Sequence, residues 1–174
     1  MVAKRLLAAL GGSVVCAVAG ACAVHQIGAM GERDVETPIT IRRAVAEPKK
    51  CIVTSKEADV RVHKDKWLEV KFSNYCDDEV TAAVGNFRTS ENPPGVPADC
   101  ANPYFGGPTP IFRETDPNDF KTRIGAGSSS HPKSEKIKLK VRTRGELGEK
   151  ELVYYFDVCI DGTKQTDPRL IIEP

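Results

Sequence analysis

Cysteine is the residue type whose spacing most constrains the chemistry of this sequence. Of its six cysteines, Cys16 and Cys22 lie in an apolar N-terminal stretch. The other four are Cys51, Cys76, Cys100 and Cys159. Their spacings of 25, 24 and 59 residues contain no closely spaced C-x2-C pair, which argues against a four-cysteine zinc site. In an exported domain, four cysteines instead predict two disulfides.

Side-chain parity along the predicted strands narrows how these cysteines pair. Cys159 shares a strand face with Asp157, opposite the apolar face that carries Phe156. Cys76 follows the parity of the apolar face of its own strand, so a Cys76–Cys159 bond would join mismatched faces. The predicted disulfides are Cys76–Cys100 and Cys51–Cys159.

Histidine, serine and acidic residues are the other candidates for catalysis or metal binding. His63 lies in a charged turn, and His131 follows three serines without the G-x-S-x-G context of a serine nucleophile. The acidic clusters 77–79 and 116–119 offer oxygen ligands but do not follow a known Ca²⁺-loop spacing. We therefore predict no catalytic residue, no metal site and no cofactor, and a protein that is not an enzyme.

The N-terminal stretch has the layout of an export signal. Lys4 and Arg5 precede an uncharged apolar run, 6–24, which is typical of a secretory signal peptide. Its Ala-Gly-Ala sequence before Cys22 resembles a lipobox, although Ala19 stands where a leucine is usual. Three outcomes stay open: lipidation at Cys22, ordinary cleavage near it, or an uncleaved membrane anchor. All three place the folded part outside the cytoplasm.

Composition divides the chain into a leader, a linker and one domain. Residues 1–23 are the predicted signal peptide or lipoprotein signal, 24–50 a polar flexible linker, and 51–174 the folded domain. Loss of Lys4 and Arg5 with the leader reduces the 25 basic residues to 23, against 24 acidic residues, a net charge of −1. Such a domain has no electrostatic support for nucleic-acid binding. Membrane contact is expected only through the N-terminal segment or a lipid.

Apolar and polar residues alternate with a period of two through much of the body. The alternation is clearest in 68–73, 136–142 and 152–160, and each segment predicts a strand with one buried face. Residues 79–84 follow a turn-prone stretch and are predicted to form a hairpin with 68–73. Shorter candidates are 52–53, 60–62 and 170–172. About seven such strands predict an all-β fold, an antiparallel β-sandwich.

A long segment rich in proline and glycine, 88–130, interrupts the strands. A loop of this length inside a compact domain is often functional, although a crossover between sheets held by Cys100 also explains it. Proline stiffening and a disulfide would reduce the entropy that the loop loses on binding a partner. The candidate binding residues are Pro94, Pro97, Tyr104 and Phe105.

Several short motifs occur in an order that resembles a known group of domains. They are KWLEV at 66–70, NYC at 74–76, GNF at 85–87, YYFDV at 154–158 and DPR at 167–169. This order resembles bacterial exported domains of the cupredoxin-like or immunoglobulin-like sandwich type, which implies a β-sandwich. Cupredoxins hold copper with two histidines, a cysteine and usually a weak axial methionine. Neither histidine nor methionine follows Cys159, and Met1 and Met30 lie outside the domain. The resemblance therefore does not extend to the copper ligands.

These inferences lead to a functional hypothesis with two alternatives. The leading expectation is an exported, non-enzymatic protein of the cell envelope, periplasmic or at the outer surface, or secreted, that acts as a binding or structural module. Its partner is expected to be an unknown protein or envelope component. The first alternative is a secreted inhibitor or adhesion-type domain that acts through residues 92–119. The second is a redox or metal protein, which requires a free thiol at Cys159.

Overall fold

Strands dominate the computed structural model, which describes residues 34–55, 59–89, 111–114 and 116–174. The strands in these ranges are β1 (Val35–Arg43), β2 (Cys51–Val53), β3 (Val60–His63), β4 (Trp67–Asn74), β5 (Val80–Arg88), β6 (Lys121–Ile124), β7 (Lys133–Lys140), β8 (Leu152–Ile160), β9 (Thr163–Thr166) and β10 (Arg169–Glu173). The helices are one 3₁₀ turn, Pro117–Phe120, and one α-helical turn, α1 (Arg144–Leu147). No helix in these ranges is long and apolar enough to cross a membrane.

The strands form two sheets that enclose one core. The first sheet has four strands in the order β2-β1-β4-β7. The second has six, in the order β3-β10-β8-β5-β6 with β9 beside β8. β1 runs parallel to β4 and β3 runs parallel to β10, whereas the other pairs are antiparallel. Buried side chains of both sheets belong to a single hydrophobic cluster, so the architecture is a β-sandwich.

Alternation explains how the four-stranded sheet buries one face. In β4, Leu68, Val70 and Phe72 are fully buried, and the residues between them are half-buried. Ile137 and Leu139 of β7 lie directly opposite Val70 and Leu68 and are buried with them. Each such side chain contributes roughly 1.5–3 kcal/mol relative to full exposure. The hydrophobic pattern therefore sets the register of this pair of strands.

An aromatic cluster fills the core beneath the six-stranded sheet. The Phe87 ring lies 5.0 Å from Phe112, 5.4 Å from Phe156 and 6.3 Å from Phe120, measured between ring centroids. These are stacked and edge-on arrangements, which aromatic pairs prefer. Phe120 ends the 3₁₀ turn, whose first residues are capped by the side chain of Asp116. The cap thus helps to place Phe120 in the core.

The predicted all-β sandwich is confirmed, but its topology differs from the prediction. The described ranges contain ten strands in two mixed sheets rather than about seven in antiparallel sheets. The predicted hairpin between 68–73 and 79–84 is wrong, because β4 and β5 lie in different sheets. A hairpin and a crossover between sheets both require one buried face on each strand, so alternation does not distinguish them.

The folded domain also begins earlier than predicted. β1 lies within 24–50, so the prediction that this whole segment is a flexible linker is wrong for Val35–Arg43. Ile39 and Ile41 are buried in the core, and β1 pairs with β4 along its length. Pro38 is compatible with a strand here because β2 pairs only with residues 41–43 of β1.

Candidate functional site

A cleft of about 890 Å³ opens at one end of the sandwich, and we call it the β2 cleft. Its walls are residues 47–51, 78–80, 160–161, 163 and 165. The first of these ranges connects β1 to β2, the second enters β5, and the others belong to the β8–β9 hairpin. Both sheets therefore contribute to the cleft. Its volume lies in the range of ligand-binding pockets.

The wall formed by the β1–β2 connection is fastened to the β4–β5 connection. A disulfide joins Cys51 to Cys76, with their Cα atoms 6.4 Å apart. Beside it, the Arg43 guanidinium donates to Asp77 and, at 2.7 Å, to Asp78. The hydrogen bond from Arg43 lowers the pKa of Asp77, and the bonds to both carboxylates raise the pKa of Arg43. A covalent bond and charge-assisted hydrogen bonds thus hold this wall together.

Asn74 determines the shape of the β4–β5 connection. Its side chain is fully buried, and its amide nitrogen donates to the carbonyls of Asp78 at 2.8 Å and Gly125 at 3.0 Å. Its amide oxygen accepts from the Cys76 N–H at 2.9 Å. Gly127 crosses so close that a Cβ there would lie 2.0 Å from the Asn74 carbonyl oxygen. These contacts place Asp78 in the cleft wall and Cys76 beside β2.

The opposite wall is a tight hairpin between β8 and β9. Its turn residues Asp161 and Gly162 have φ values of 49° and 76°. Two positive φ values in succession are what a type I′ turn requires, and Asp-Gly supplies them readily. The Asp161 N–H donates to the Thr81 carbonyl and the Asp161 carboxylate accepts from the Thr81 N–H, both at 2.8 Å. The hairpin is therefore attached to β5 and forms a firm side of the cleft.

β2 is an edge strand whose backbone presents unpaired groups beside the cleft. The Lys50 carbonyl accepts from the N–H of Ala44, just after β1, and the Thr54 N–H donates to the Thr40 carbonyl of β1, both at 2.9 Å. Hydrogen-bonded and non-hydrogen-bonded pairs alternate in an antiparallel ladder, so Cys51 and Val53 form the non-bonded pairs with β1. Their N–H and C=O groups point to the open edge, where no described residue bonds to them.

The rim of the cleft carries paired and unpaired charges. Asp78 and Glu79 each lie within ion-pairing distance of an arginine. Lys49 and Lys50 are exposed, and no carboxylate of the described ranges lies within ion-pairing distance of either ammonium group. Two cations therefore remain available beside β2, and the exposed Glu47 carboxylate of the same wall likewise has no ion pair with a described residue.

The predicted disulfide pairing is wrong. Because Cys51 is bonded to Cys76, neither Cys76–Cys100 nor Cys51–Cys159 forms. The cause is β1, which lies between β2 and β4 in the sheet and brings the start of β2 next to the end of β4. The two cysteines do lie on different faces, as their strand parity predicts: Cys76 belongs to the core cluster, whereas Cys159 is buried outside it.

Cys159 is disulfide-bonded as well. Since Cys51 and Cys76 are bonded to each other, its partner is a cysteine outside the described ranges.

A second polar site lies on the face of β8 that points away from the core. We define the buried charge cluster as Asn86, Arg88, Asp157, Lys164 and Asp167. The Asp157 carboxylate accepts from Arg88 at 2.8 Å and from Asn86 at 2.7 Å, and it lies 3.0 Å from the Lys164 ammonium. Asp167 lies 3.3 Å from Arg88 and 3.2 Å from Lys164. Arg88 and Asp157, which are buried, thus pair directly, as buried charges require, and the partly exposed Lys164 and Asp167 lie beside them.

An irregularity in β5 directs two of these side chains to Asp157. Asn86 has a φ of 51°, and the pairing of β5 with β8 changes register between Gly85 and Arg88. Such a bulge locally changes the direction of side chains along a strand. It allows Asn86 and Arg88 both to reach Asp157, while Phe87 between them enters the core.

The described residues on either side of the predicted binding loop are firmly placed. β5 ends at Arg88 in the buried charge cluster, and the chain returns at Ile111 and Phe112, which are buried. Phe112 also forms a β-bridge with Val141. The predicted binding residues Pro94, Pro97, Tyr104 and Phe105, together with Cys100 and the predicted leader with Cys22, lie outside the described residues.

The two histidines of the domain have local contacts in separate places. His63 Nδ1 lies 3.1 Å from the Pro174 carbonyl oxygen, and its Nε2 lies 3.4 Å from the Glu173 carboxylate. His131 Nδ1 lies 2.9 Å from the hydroxyl of Ser130 on an exposed loop. The structure does not bring either histidine to the β2 cleft.

The acidic turns have structural partners. Asp77 and Asp78 accept from Arg43, and Asp116 accepts from the Asn118 N–H at 2.8 Å to cap the 3₁₀ turn. Within the described ranges, no group of three histidine, cysteine, aspartate or glutamate side chains is arranged to hold a metal ion. These carboxylates therefore fasten the fold locally.

Sequence reasoning identified neither the β2 cleft nor the buried charge cluster. The cleft depends on β1, which was missed, and the cluster joins Arg88 to Asp157 across 69 residues. One signal was available: Asp157 interrupts an otherwise apolar and aromatic strand, and a buried acid implies a cationic partner. The partner itself could not be chosen from the sequence.

No protein-family model and no curated protein sequence matches this chain. Among solved structures it is similar to McoA, a multicopper oxidase from the hyperthermophile Aquifex aeolicus, with a TM-score of 0.40 and 7% identity over 85% of this chain and 31% of that chain. It is also similar to a multicopper oxidase from Campylobacter jejuni, a metallo-oxidase, with a TM-score of 0.37 and 12% identity over 79% of this chain and 25% of that chain. The chain thus spans at most about a third of either oxidase. No activity or residue role is transferred at this level of similarity.

Proposed function

We propose that this chain is an exported, non-enzymatic binding module that engages its partner at the β2 cleft. The supporting observation is the construction of the cleft. One wall is held by the Cys51–Cys76 disulfide and the other by the Asp161–Thr81 hydrogen bonds. A cleft whose walls are already fixed loses little conformational entropy when a partner binds.

The chemistry of the cleft also favours binding. The carboxylates of Asp78 and Asp161 fasten its walls, and unpaired backbone groups of β2 and the lysines at 49 and 50 remain available. Backbone groups and isolated lysines recognise a polar partner by hydrogen bonds and charge. We therefore place the role of this site in recognition rather than in catalysis.

Export is supported by the N-terminal sequence and by the disulfides, which persist in oxidising compartments. The resemblance to exported sandwich domains agrees with it.

Site-specific photo-crosslinking in intact cells of the native host tests the binding proposal. The crosslinking amino acid p-benzoylphenylalanine replaces Lys50 on the cleft rim, and in a control variant it replaces Val153, which is 38% exposed on β8. We expect a discrete adduct from position 50 and none from position 153. Equal adducts from both positions, or no adduct from position 50, would contradict the proposal.

Mass spectrometry of the mature N-terminus from the same cells tests export. A lipid on Cys22, a new N-terminus near residue 22, or an intact leader in the membrane fraction would each agree with export. An intact leader on a cytoplasmic protein would contradict it.

A second candidate function is inhibition or adhesion through residues 92–119. It is favoured by the buried residues Arg88, before this segment, and Ile111–Phe112, within it. The double variant Y104A/F105A tests it against the cleft. The partner identified by crosslinking is pulled down with each variant. If Y104A/F105A no longer retains it and K49E/K50E still does, the result favours the loop over the cleft.

A further inference from the structure

The unpaired edge of β2 points to the kind of partner that the β2 cleft accepts. We infer that the partner contributes an extended peptide segment, which adds to β2 as a further strand and places an acidic residue beside Lys49 and Lys50. This inference rests on the proposed binding function and specifies its partner. Strand addition to a sheet edge is an established mode of peptide recognition, in which backbone hydrogen bonds supply affinity and side-chain pockets supply specificity.

The backbone of β2 has the groups that strand addition needs. Cys51 and Val53 each direct one N–H and one C=O to the open edge. A strand placed at ordinary spacing would bond to these four groups and extend the sheet order to peptide-β2-β1-β4-β7. Cys51 also lines the cleft, so the same peptide would continue from the edge into the cleft.

The other edge of this sheet is covered at one position. At the end of β7, the Lys140 N–H donates to the Glu114 carboxylate at 2.7 Å, and the Lys140 carbonyl accepts from the Arg113 N–H at 2.9 Å. Residues 113–114 thus occupy, beside Lys140, the position that an added strand would take. Neither β2 nor the rest of β7 has such cover among the described residues.

Short edge strands flanked by lysine are also a means of preventing aggregation. That explanation accounts for the length of β2 and for Lys49 and Lys50. It does not account for a cleft of about 890 Å³ beside the edge, with walls fixed by a disulfide and a hairpin. Strand addition explains the edge, the cleft and the unpaired cations together.

The unpaired cations specify the chemistry of the segment. Lys49 and Lys50 immediately precede Cys51, so they flank one end of any strand added to β2. Ion pairs at a rim are screened by salt but steer encounter and orientation. An acidic residue at that end of the peptide would set its direction, while small apolar side chains would contact Pro48 and Val80 in the cleft.

The test uses a displayed library of random eight-residue peptides as the probe, selected against the disulfide-intact mature protein. A parallel selection uses V53P, which removes one outward N–H without removing a hydrogen bond to β1. The matched control V53A keeps the N–H but shortens the same side chain. Thermal unfolding and an NMR fingerprint confirm that both variants are folded.

We expect enriched peptides with at least one acidic residue, bound about tenfold more weakly by V53P and less than about threefold more weakly by V53A. K49E/K50E should weaken the same peptides about tenfold, whereas K121E/K133E, with the same change of charge elsewhere on the surface, should not. Hydrogen exchange should slow on binding at the amides of Cys51 and Val53. The Thr54 amide, which already donates to Thr40, should change little.

Three results would overturn the inference. The first is that the wild-type protein enriches no peptides beyond those that V53P enriches. The second is that bound peptide slows hydrogen exchange only at amides away from β2. The third is that the protein dimerises through β2. The tests of the two proposals can fail separately. If position 50 crosslinks to a glycan or lipid and no peptides are enriched, the proposed binding function stands and the proposed peptide partner is rejected.

Discussion

Charged side chains pair across strands on the outer faces of both sheets, but the two sets differ in burial. On the six-stranded sheet the Arg88 and Asp157 side chains are 5% and 2% exposed. On the four-stranded sheet, Lys136 and Glu69 are 37% and 18% exposed at a similar separation of 2.7 Å. We call the latter set the charge ladder; its members are Glu36, Glu69, Lys71, Lys136 and Lys138.

The charge ladder links three neighbouring strands. Lys136 on β7 lies 2.5 Å from Glu36 on β1 and 2.7 Å from Glu69 on β4, and Lys138 lies 2.7 Å from Glu69. The hydrogen bond from Lys136 is the main cause that lowers the pKa of both glutamates. The hydrogen bonds to these glutamates raise the pKa of Lys136 in turn. Water nevertheless competes for every member of the ladder.

The difference between the two faces shows that burial, rather than the number of pairs, decides what a charge contributes. An exposed pair adds little because water and salt replace the partner. Removal of one member of a buried pair leaves an uncompensated charge away from water, which is strongly destabilising. The buried charge cluster should therefore specify the fold around β5 and β8, whereas the ladder should adjust stability slightly.

The largest predicted effect concerns the covalent tie on the six-stranded side. Cys159 and Asp157 project from the same face of β8, and both are buried. We predict that Cys159 is bonded to Cys100, the remaining cysteine of the body. Removal of this bond in C100S/C159S should reduce the free energy of unfolding by about 4 kcal/mol in the chain-entropy model.

Non-reducing peptide mapping checks the pairing, and urea unfolding checks the magnitude. C51S/C76S is the matched control, with a shorter loop and an expected loss of about 3 kcal/mol. A Cys159 peptide linked to Cys16 or Cys22 would contradict the pairing.

The next largest effect separates the two faces directly. Asp157→Asn keeps the shape of the side chain but removes the buried carboxylate that lies 2.8 Å from Arg88 and 3.0 Å from Lys164. We expect a loss of about 3 kcal/mol in the free energy of unfolding, measured with urea. A loss below about 1 kcal/mol would show that the buried pair behaves like an exposed one. A double-mutant cycle with Arg88→Met should then give a large coupling energy, since the two side chains contact each other.

The same change on the exposed face should have a much smaller effect. Glu69→Gln removes the charge that faces Lys136 and Lys138, and we expect a loss below about 1 kcal/mol. Sodium chloride at about 1 M should nearly abolish the difference from the wild type, because the Debye length is then about 3 Å. If Glu69→Gln reduced the free energy of unfolding as much as Asp157→Asn does, and salt did not change that reduction, the exposed and buried charges would not differ in their contribution to stability.

The smallest predicted effect is a pH dependence of the stability difference between the wild type and E69Q. The folded pKa of Glu69 lies below its ordinary value of 4.5, so its contribution is complete above that pH. As the pH falls through the lowered folded pKa, the glutamate becomes protonated and its contribution is lost. The stability difference between the wild type and E69Q should therefore shrink as the pH falls below 4.5. Urea unfolding between pH 3 and 6 measures it, and a difference that grows on acidification would contradict the assignment.

Much of the strand content could be predicted because burial of one face imposes a period of two. Leu68, Val70 and Phe72 alternate with polar residues, and they form the buried face of β4 as expected. β1 was missed because Pro38 and charged neighbours obscure its pattern, although Ile39 and Ile41 are buried. A strand that lacks a neighbour along part of one side tolerates such residues. The missed strand led directly to the wrong cysteine pairing.

The candidate sites were harder to predict than the strands. Asp161-Gly162 is recognisable as a turn, but its contact with Thr81 depends on how β8 pairs with β5. In the sequence, Lys49 and Lys50 do not differ from other charged segments. Their position beside the cleft becomes evident only when β2 is placed at the edge of the sheet. Local patterns identify turns and faces; they do not identify which elements become neighbours.

Sequence alone determined the all-β class, the two-sided character of the strands and the presence of four body cysteines suited to disulfides. These properties depend on residues that are close in sequence or on composition. Tertiary structure decided that Cys51 bonds to Cys76, that Arg88 meets Asp157, and that β2 lies at the end of its sheet beside a cleft. Each of these depends on which strands pair across the two sheets, and that choice is made by the packing of the whole core.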